Sequence, residues 1–218
     1  MTSRYLHQLF TPSVKAAQAA QGSRQAYARV DAPTSEPDRL TPREQTFIAM
    51  RDSFYMATNS ASGWPYLQHR GGPVGFVRVL DEKRLGFADF RGNRQYISLG
   101  NIEQDDRAAL FFMDYARRAR LKLLGRVRSI DLADHPALAD LLIDADYGSK
   151  VERGLIVEID SYDWNCSQHI TPRYAEDEID QFVKPLKERI VELEALTHHA
   201  LENKDAQAPL RSRANRAP

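Results

Sequence analysis

Ser53-Phe54-Tyr55-Met56-Ala57-Thr58-Asn59-Ser60-Ala61-Ser62-Gly63-Trp64-Pro65-Tyr66-Leu67-Gln68-His69-Arg70 is the stretch on which the fold turns. Residues 53–59 are rich in aromatic and apolar side chains, Ser60 to Gly63 is a turn, and Trp64 to Arg70 is a second run of strand character. The pattern then repeats. Gly71-Gly72-Pro73 breaks the second strand, Phe76 to Leu80 is a third, and Asp81-Glu82-Lys83 turns into a fourth, Arg84 to Phe90. Asn93 to Leu99 reads as a short helix closed by Gly100. Two long strands follow, Arg107 to Tyr115 and Arg120 to Ile130, joined by the basic turn Ala116-Arg117-Arg118-Ala119. Asp134 can cap a helix with Leu138, Leu141, Leu142 and Ile143 on one face, and Gly154 to Ser161 is one more strand. Strands this close, with only short helices between them, predict a mainly β (α+β) fold built as a closed or nearly closed antiparallel barrel. A doubly wound sheet would need a substantial helix after each strand.

The flanks are helical. Val14 to Val30 is rich in Ala, Gln and Arg and reads as a helical arm; Asp31 to Arg39, with Pro33 and Pro37, reads as a linker. Thr41-Pro42-Arg43-Glu44 is a helix start, with a capping Thr, a Pro at the first helical position and a Glu able to bond back to the cap. That helix is expected to carry Phe47, Ile48 and Met50 to the core. Toward the C-terminus, Glu176-Asp177-Glu178 suits a first helical turn. Pro185 is expected to start a second helix, with Leu186, Ile190, Leu193 and Leu196 or Thr197 as an apolar stripe. The expected organisation is an arm and linker over residues 1–40, a barrel domain over 41–175, helices over 176–203 and a disordered tail over 204–218.

Composition bounds the function. The 218 residues are 42% hydrophobic, enough for one good-sized core. Thirty basic residues balance thirty acidic ones, so no global field draws nucleic acid or an anionic membrane. The single cysteine, Cys166, excludes an internal disulfide and a cysteine-based metal cluster and fits a reducing cytosol. With no run of about eighteen apolar residues, a soluble cytoplasmic protein is expected.

Anion recognition must then be local. In Phe87-Ala88-Asp89-Phe90-Arg91-Gly92-Asn93-Arg94-Gln95 a strand ends in a turn carrying two arginines, and a helix is expected to start near Asn93. Free N–H groups there, with Arg91 or Arg94, would form a phosphate cradle. In Gln68-His69-Arg70-Gly71-Gly72-Pro73 the glycines would let a flat ring lie against a strand edge. Taken alone, the two blocks fit equally an ordinary solvated turn and an ordinary loop.

The ordered set resembles the pyridoxamine 5'-phosphate oxidase-like, flavin mononucleotide (FMN)-binding split β-barrel family. It runs from Ser53 to Thr58 through Gly63-Trp64-Pro65-Tyr66, His69-Arg70-Gly71-Gly72, Phe87 to Gln95 and Gly125 to the block Trp164 to Tyr174. The resemblance covers roughly residues 41–174. It implies a homodimer with two FMN sites at its interface. By position it implies cofactor contacts from His69, Arg70, Gly71 and Gly72, from Ala88 and Asp89 beside the ring, and from Arg91. Asn93, Arg94 and Gln95 match a Ser-Arg-Lys phosphate clamp. Trp164 and Arg173 match residues lent by the other subunit, with Gln168 and His169 in the same segment.

The departures are informative. Gln95 stands where the family has a phosphate-binding lysine, and Arg120 stands near a position often held by Gln. Gln168-His169-Ile170 replaces the Arg-Leu-His stretch that handles the phosphorylated vitamin, so the vitamin B6 reaction is not expected. His169 reads as an interface residue in preference to a proton donor. His198-His199 reads as a solvated helix face, because adjacent helical residues diverge, and no metal site is expected. Cys166 reads as inert and Trp64 as barrel core. Two classes of function follow: an FMN-dependent oxidoreductase, drawing on NAD(P)H or a small-molecule substrate, or a non-catalytic barrel carrying FMN, haem or another planar ligand as sensor or carrier.

Overall fold

The computed structural model describes residues 3–31, 36–164 and 167–207. They fall into two compact units, residues 1–171 and 172–218. The first opens with α1 (Ser3–Leu9), α2 (Pro12–Ala20) and a 3-10 helix (Arg24–Asp31). The sequence had suggested the second and third of these but not α1. α3 (Pro42–Ala49) begins as its sequence predicts, with Thr41 and Glu44 forming a reciprocal capping box. Ile48 is buried and Phe47 packs against the core, but Met50 is 47% exposed, because it caps the helix end after the inward face has run out.

Seven antiparallel strands make one sheet: β1 (Ser53–Asn59), β2 (Pro65–Gly71), β3 (Arg78–Asp81), β4 (Arg84–Phe90), β5 (Arg107–Asp114), β6 (Ala119–Ile130) and β7 (Val151–Trp164), in the order β2-β1-β5-β6-β7-β4-β3. Phe54, Met56 and Thr58 alternate inward on β1, and Ala108, Leu110, Phe112 and Asp114 on β5. Three strands separate β1 from β4 in the ladder, yet the Phe54 ring meets Phe87 at 5.1 Å while stacking on Phe112 at 5.0 Å. The sheet is therefore curled around one aromatic core, and Arg70 of β2 reaches Asp89 of β4 across the gap. Among the described residues no ladder closes that gap. The fold is α+β, mainly sheet, a barrel split between its edge strands.

Several expected boundaries move. Phe76 and Val77 are buried but precede β3. The helix expected over 93–99 is α4 (Ile97–Gln104), with Gly100 inside it. α5 (Pro136–Leu142) starts from His135 instead of Asp134, and only one turn of its face is used: Leu142 is buried while Leu141 and Ile143 are exposed. β7 is 14 residues long, outrunning the expected 154–161 at both ends. Trp64 is 77% exposed, because it lies in the turn before edge strand β2 and not on an inward position.

Gly125 marks a close approach. A Cβ there would lie 2.5 Å from the Glu158 carbonyl oxygen, beside the irregularity where β6 meets β7. Because the obstacle is backbone, Gly125→Ala should lose about 2 kcal/mol, read as a shift of the urea midpoint at constant slope.

The second unit is α6 (Glu176–Gln207), a single helix with Glu176, Asp177 and Glu178 in its first turn. Pro185 lies inside it and does not start a second helix, and residues 204–207 are helical where a disordered tail was expected. Residues 208–218 lie outside the described ones, as do Pro33, Asn165 and Cys166. No described helix is long and apolar enough to cross a membrane.

Candidate functional site

Where the sheet is split, β2, the end of β4, the 91–96 loop and α4 surround a cavity of about 220 Å³. Alternation on β2 turns Tyr66, Gln68 and Arg70 into it. From the loop come Asn93, Arg94, Gln95 and Tyr96; Asp89 lines it from β4 and Glu152 from β7. Two polar contacts hold α4 in place: Ser98 Oγ donates to Gln68 Oε1 at 2.9 Å, and Asn101 Nδ2 donates to Thr58 Oγ1 at 3.0 Å.

The loop is strained. Arg94 (φ 62°) and Tyr96 (φ 54°) are both left-handed without being glycine, which costs about 1–2 kcal/mol each. The Gln95 N–H donates to Asn93 Oδ1 at 3.2 Å. Arg94 is exposed, and its Nε donates to the Tyr96 hydroxyl at 3.1 Å. That hydroxyl donates to Glu152 Oε1 at 3.1 Å. Such strain, held in place by side chains around a polar cavity, is characteristic of binding loops.

Behind the wall, Asp89 accepts from Arg70 Nη1 and lies 3.7 Å from Arg153 Nη1. Arg153 also donates to Glu152 Oε2 at 3.3 Å and lies 5.2 Å from the Tyr96 ring centre. Arg70 Nε and Arg153 Nη1 are buried without a hydrogen-bond partner. The two idle atoms are enclosed and their guanidiniums are paired with Asp89 and Glu152, so they add positive charge behind the cavity without donating into it.

A family model described as pyridoxamine 5'-phosphate oxidase matches residues 40–162, more than half of the chain. The chain belongs to the pyridoxamine 5'-phosphate oxidase family. A comparison with curated protein sequences gives no match. Among solved structures, HupZ of Group A Streptococcus is 15% identical, with a TM-score of 0.44 over 62% of this chain and 99% of that one. A Clostridium acetobutylicum protein related to general stress protein 26, of the pyridoxinephosphate oxidase family, is 14% identical, with a TM-score of 0.42 over 63% and 94%. An FMN-binding protein of Syntrophomonas wolfei is 10% identical, with a TM-score of 0.42 over 68% and 97%.

Of the positions suggested by the oxidase-family pattern, the structure brings Arg70, Asp89, Asn93, Arg94 and Gln95 to one cavity. Arg91 adjoins it, its Nε 3.8 Å from Glu152 Oε1. The expected helix start at Asn93 is not there. α4 begins three residues after Gly92-Asn93-Arg94, so side chains of the loop, more than helical N–H groups, face the cavity. His69 is exposed on the other face of β2, edge-on to Tyr55. Ala88 is buried on the strand position between the inward Phe87 and Asp89. Gly72 has a packing reason of its own, since a Cβ there would lie 2.8 Å from the Phe76 ring.

Trp164 is at the far end of β7 from Glu152. A 14-residue strand spans roughly 45 Å when straight. Its Nε1 donates to Glu44 Oε1 at 2.5 Å, and its ring lies between Phe47 and the Arg43 guanidinium. Gln168 and left-handed His169 are exposed and do not line the cavity; Arg173 belongs to the second unit. Sequence reasoning missed Tyr66, Tyr96, Ser98 and Glu152. Alternation along β2 would have found Tyr66. Glu152 depends on the pairing of Asp89 with Arg153, which no local signal announces.

Proposed function

We propose that the cavity holds the phosphate end of FMN and that the chain is an FMN-dependent oxidoreductase working as a homodimer. The observation that carries this reading is the Arg94–Tyr96 loop, strained around a polar cavity that also has Arg70 in its wall. The donor set fits a phosphate monoester: an exposed guanidinium and amide groups from Asn93 and Gln95, with the paired Arg70 and Arg153 behind them. Arg94 would pair with the phosphate, Gln95 and Asn93 would orient it, and Ser98 with Gln68 would keep the α4 end of the cavity in register. When bound, FMN would supply hydride or electron transfer between a donor such as NAD(P)H and an acceptor.

A shared site is supported by size and distance. About 220 Å³ is less than pockets that enclose a whole ligand usually measure, about 300–1,000 Å³, so a flavin ring would extend beyond it. The Trp164 that resemblance assigns to the site is fastened at the other end of β7. Half-buried Ala109, Phe111 and Met113 on the outer face of β5 offer apolar surface to a second copy. Gln168-His169-Ile170 lacks the arginine for a second phosphate, which argues against oxidation of pyridoxamine 5'-phosphate.

The purified protein should be yellow, with flavin absorbance that bleaches on addition of NAD(P)H. A colourless chain that FMN does not colour, or a haem Soret band, overturns the reading. Arg94→Ala should weaken FMN binding by about 1.5–3 kcal/mol, the size of a hydrogen bond to a charged group. Arg117→Ala, at a turn outside the cavity, should leave it unchanged in the same titration.

A further inference from the structure

We propose that Glu152 selects among tetrahedral anions in this cavity, accepting a hydrogen bond from a protonated phosphate and repelling an anion, such as sulfate, that has no proton to give. The proposal rests on the phosphate-cavity reading above. A carboxylate is an unexpected lining for an anion site, and Glu152 is no distant neighbour: its side chain is 16% exposed and borders the cavity. Oε1 accepts from the Tyr96 hydroxyl and faces Arg91; Oε2 accepts from Arg153. Each carboxylate oxygen can accept two hydrogen bonds, so Glu152 keeps capacity toward the cavity.

The surrounding cations are already committed. Asp89 takes Arg70 and approaches Arg153, and Glu152 takes Arg153 and faces Arg91. Arg94 bonds the Tyr96 hydroxyl, which itself leans on Glu152. An incoming anion therefore meets a carboxylate whose charge is only shared, in a half-enclosed site where screening is weaker than in water. For a fully deprotonated oxyanion that is repulsion. For phosphate it need not be, because a phosphate oxygen that carries a proton becomes a donor and Glu152 its acceptor. A monoester such as FMN keeps a proton to give only near and below pH 6 and binds above it through the cations alone. Orthophosphate keeps at least one proton throughout the neutral range and so reads the selection directly. Sulfate has the same shape and no proton.

If Glu152 served only to position the arginines, Glu152→Gln would loosen them and weaken both anions alike. Selection predicts something else, a change in the ratio. Melting curves of the full chain in sodium phosphate and sodium sulfate, at matched ionic strength and a pH of about 6.5, separate the two. Arg94→Ala supplies the general stabilisation that both salts give by exclusion from the surface. After that correction the wild type should half-saturate with phosphate at a concentration at least about fivefold below sulfate, the size of one net hydrogen bond. In Glu152→Gln the two should fall within about twofold, chiefly through tighter sulfate. An unchanged ratio in Glu152→Gln, parallel weakening of both anions, or no phosphate preference in the wild type would overturn the proposal. An FMN titration of the wild type separates the two readings. FMN binding with an unaltered anion ratio sinks the role of Glu152 alone, whereas a collapsed ratio without FMN binding sinks the flavin and keeps Glu152.

Discussion

Replacing Glu44 by alanine should cost about 3–5 kcal/mol of folding stability, the size expected when one partner of a buried charged network is removed. Glu44 is 3% exposed. Its carboxylate accepts from the Thr41 N–H and hydroxyl, the Tyr162 hydroxyl and Trp164 Nε1. Alanine would open the capping box and strand those donors, each a bond to a charged group worth about 1.5–3 kcal/mol and not additive. Burial alone pushes the Glu44 carboxyl up, but hydrogen bonds from Thr41, Trp164 and the backbone outweigh it and hold it below the usual carboxylate range. Burial and the neighbouring Glu44 carboxylate push the Tyr162 hydroxyl up to about 12, so it stays a donor at neutral pH. A carboxyl with a depressed folded pKa contributes stability above its unfolded value, about 4.3. That stability is lost as pH falls through the folded value. Glu44→Gln, which keeps one acceptor oxygen, should recover part of the loss. It should also show a shallower acid decline than the wild type below about pH 4. Urea unfolding at neutral and acid pH measures both. A neutral-pH loss under about 1 kcal/mol for Glu44→Ala would mean the donors find other partners.

The capping box and strands β1 and β4 were legible because their signals are local. Thr41-Pro42-Arg43-Glu44 carries its own acceptors and donors, and β1 and β4 have the residue bounds their composition suggests. The cavity was half legible for the same reason. Arg70, Asp89 and the Asn93-Arg94-Gln95 turn stand out as residues, but the path of the loop does not. A helix was expected from Asn93 because nothing in Arg94 or Tyr96 marks a left-handed residue, as glycine would. The neighbours supply the reason: besides the local bond from Arg94, Tyr96 is held by Glu152, and α4 by Gln68 and Thr58, contacts from strands far along the chain. Trp64 failed differently. Size and aromaticity point Trp64 to the core, but its place is set by the turn between two strands, and one exposed apolar side chain costs little.

The other large effect expected is complementation between two defective chains. Arg94→Ala and Arg173→Ala should each, as pure proteins, lose tight FMN binding. Mixed dimers should recover roughly half a site's worth of tight FMN per chain. The reasoning is geometric. Glu152 and Trp164 occupy opposite ends of β7, and Trp164 is pinned to Glu44, Phe47 and Arg43 of its own chain. The cavity holding Arg94 is also too small for a whole flavin. If the aromatic end of the site and Arg173 come from a partner, one heterodimer contains one site with both arginines and one with neither. If a single chain supplied everything, each site in the mixture would lack one arginine and mixing would restore nothing. Unfolding and refolding the two variants together, then titrating FMN, distinguishes these outcomes. Light scattering sets the precondition, a mass of about twice the 24.8 kDa chain. A monomer that binds FMN tightly, or a mixture no better than its parents, would put the site within one subunit and leave Trp164 with a purely structural task.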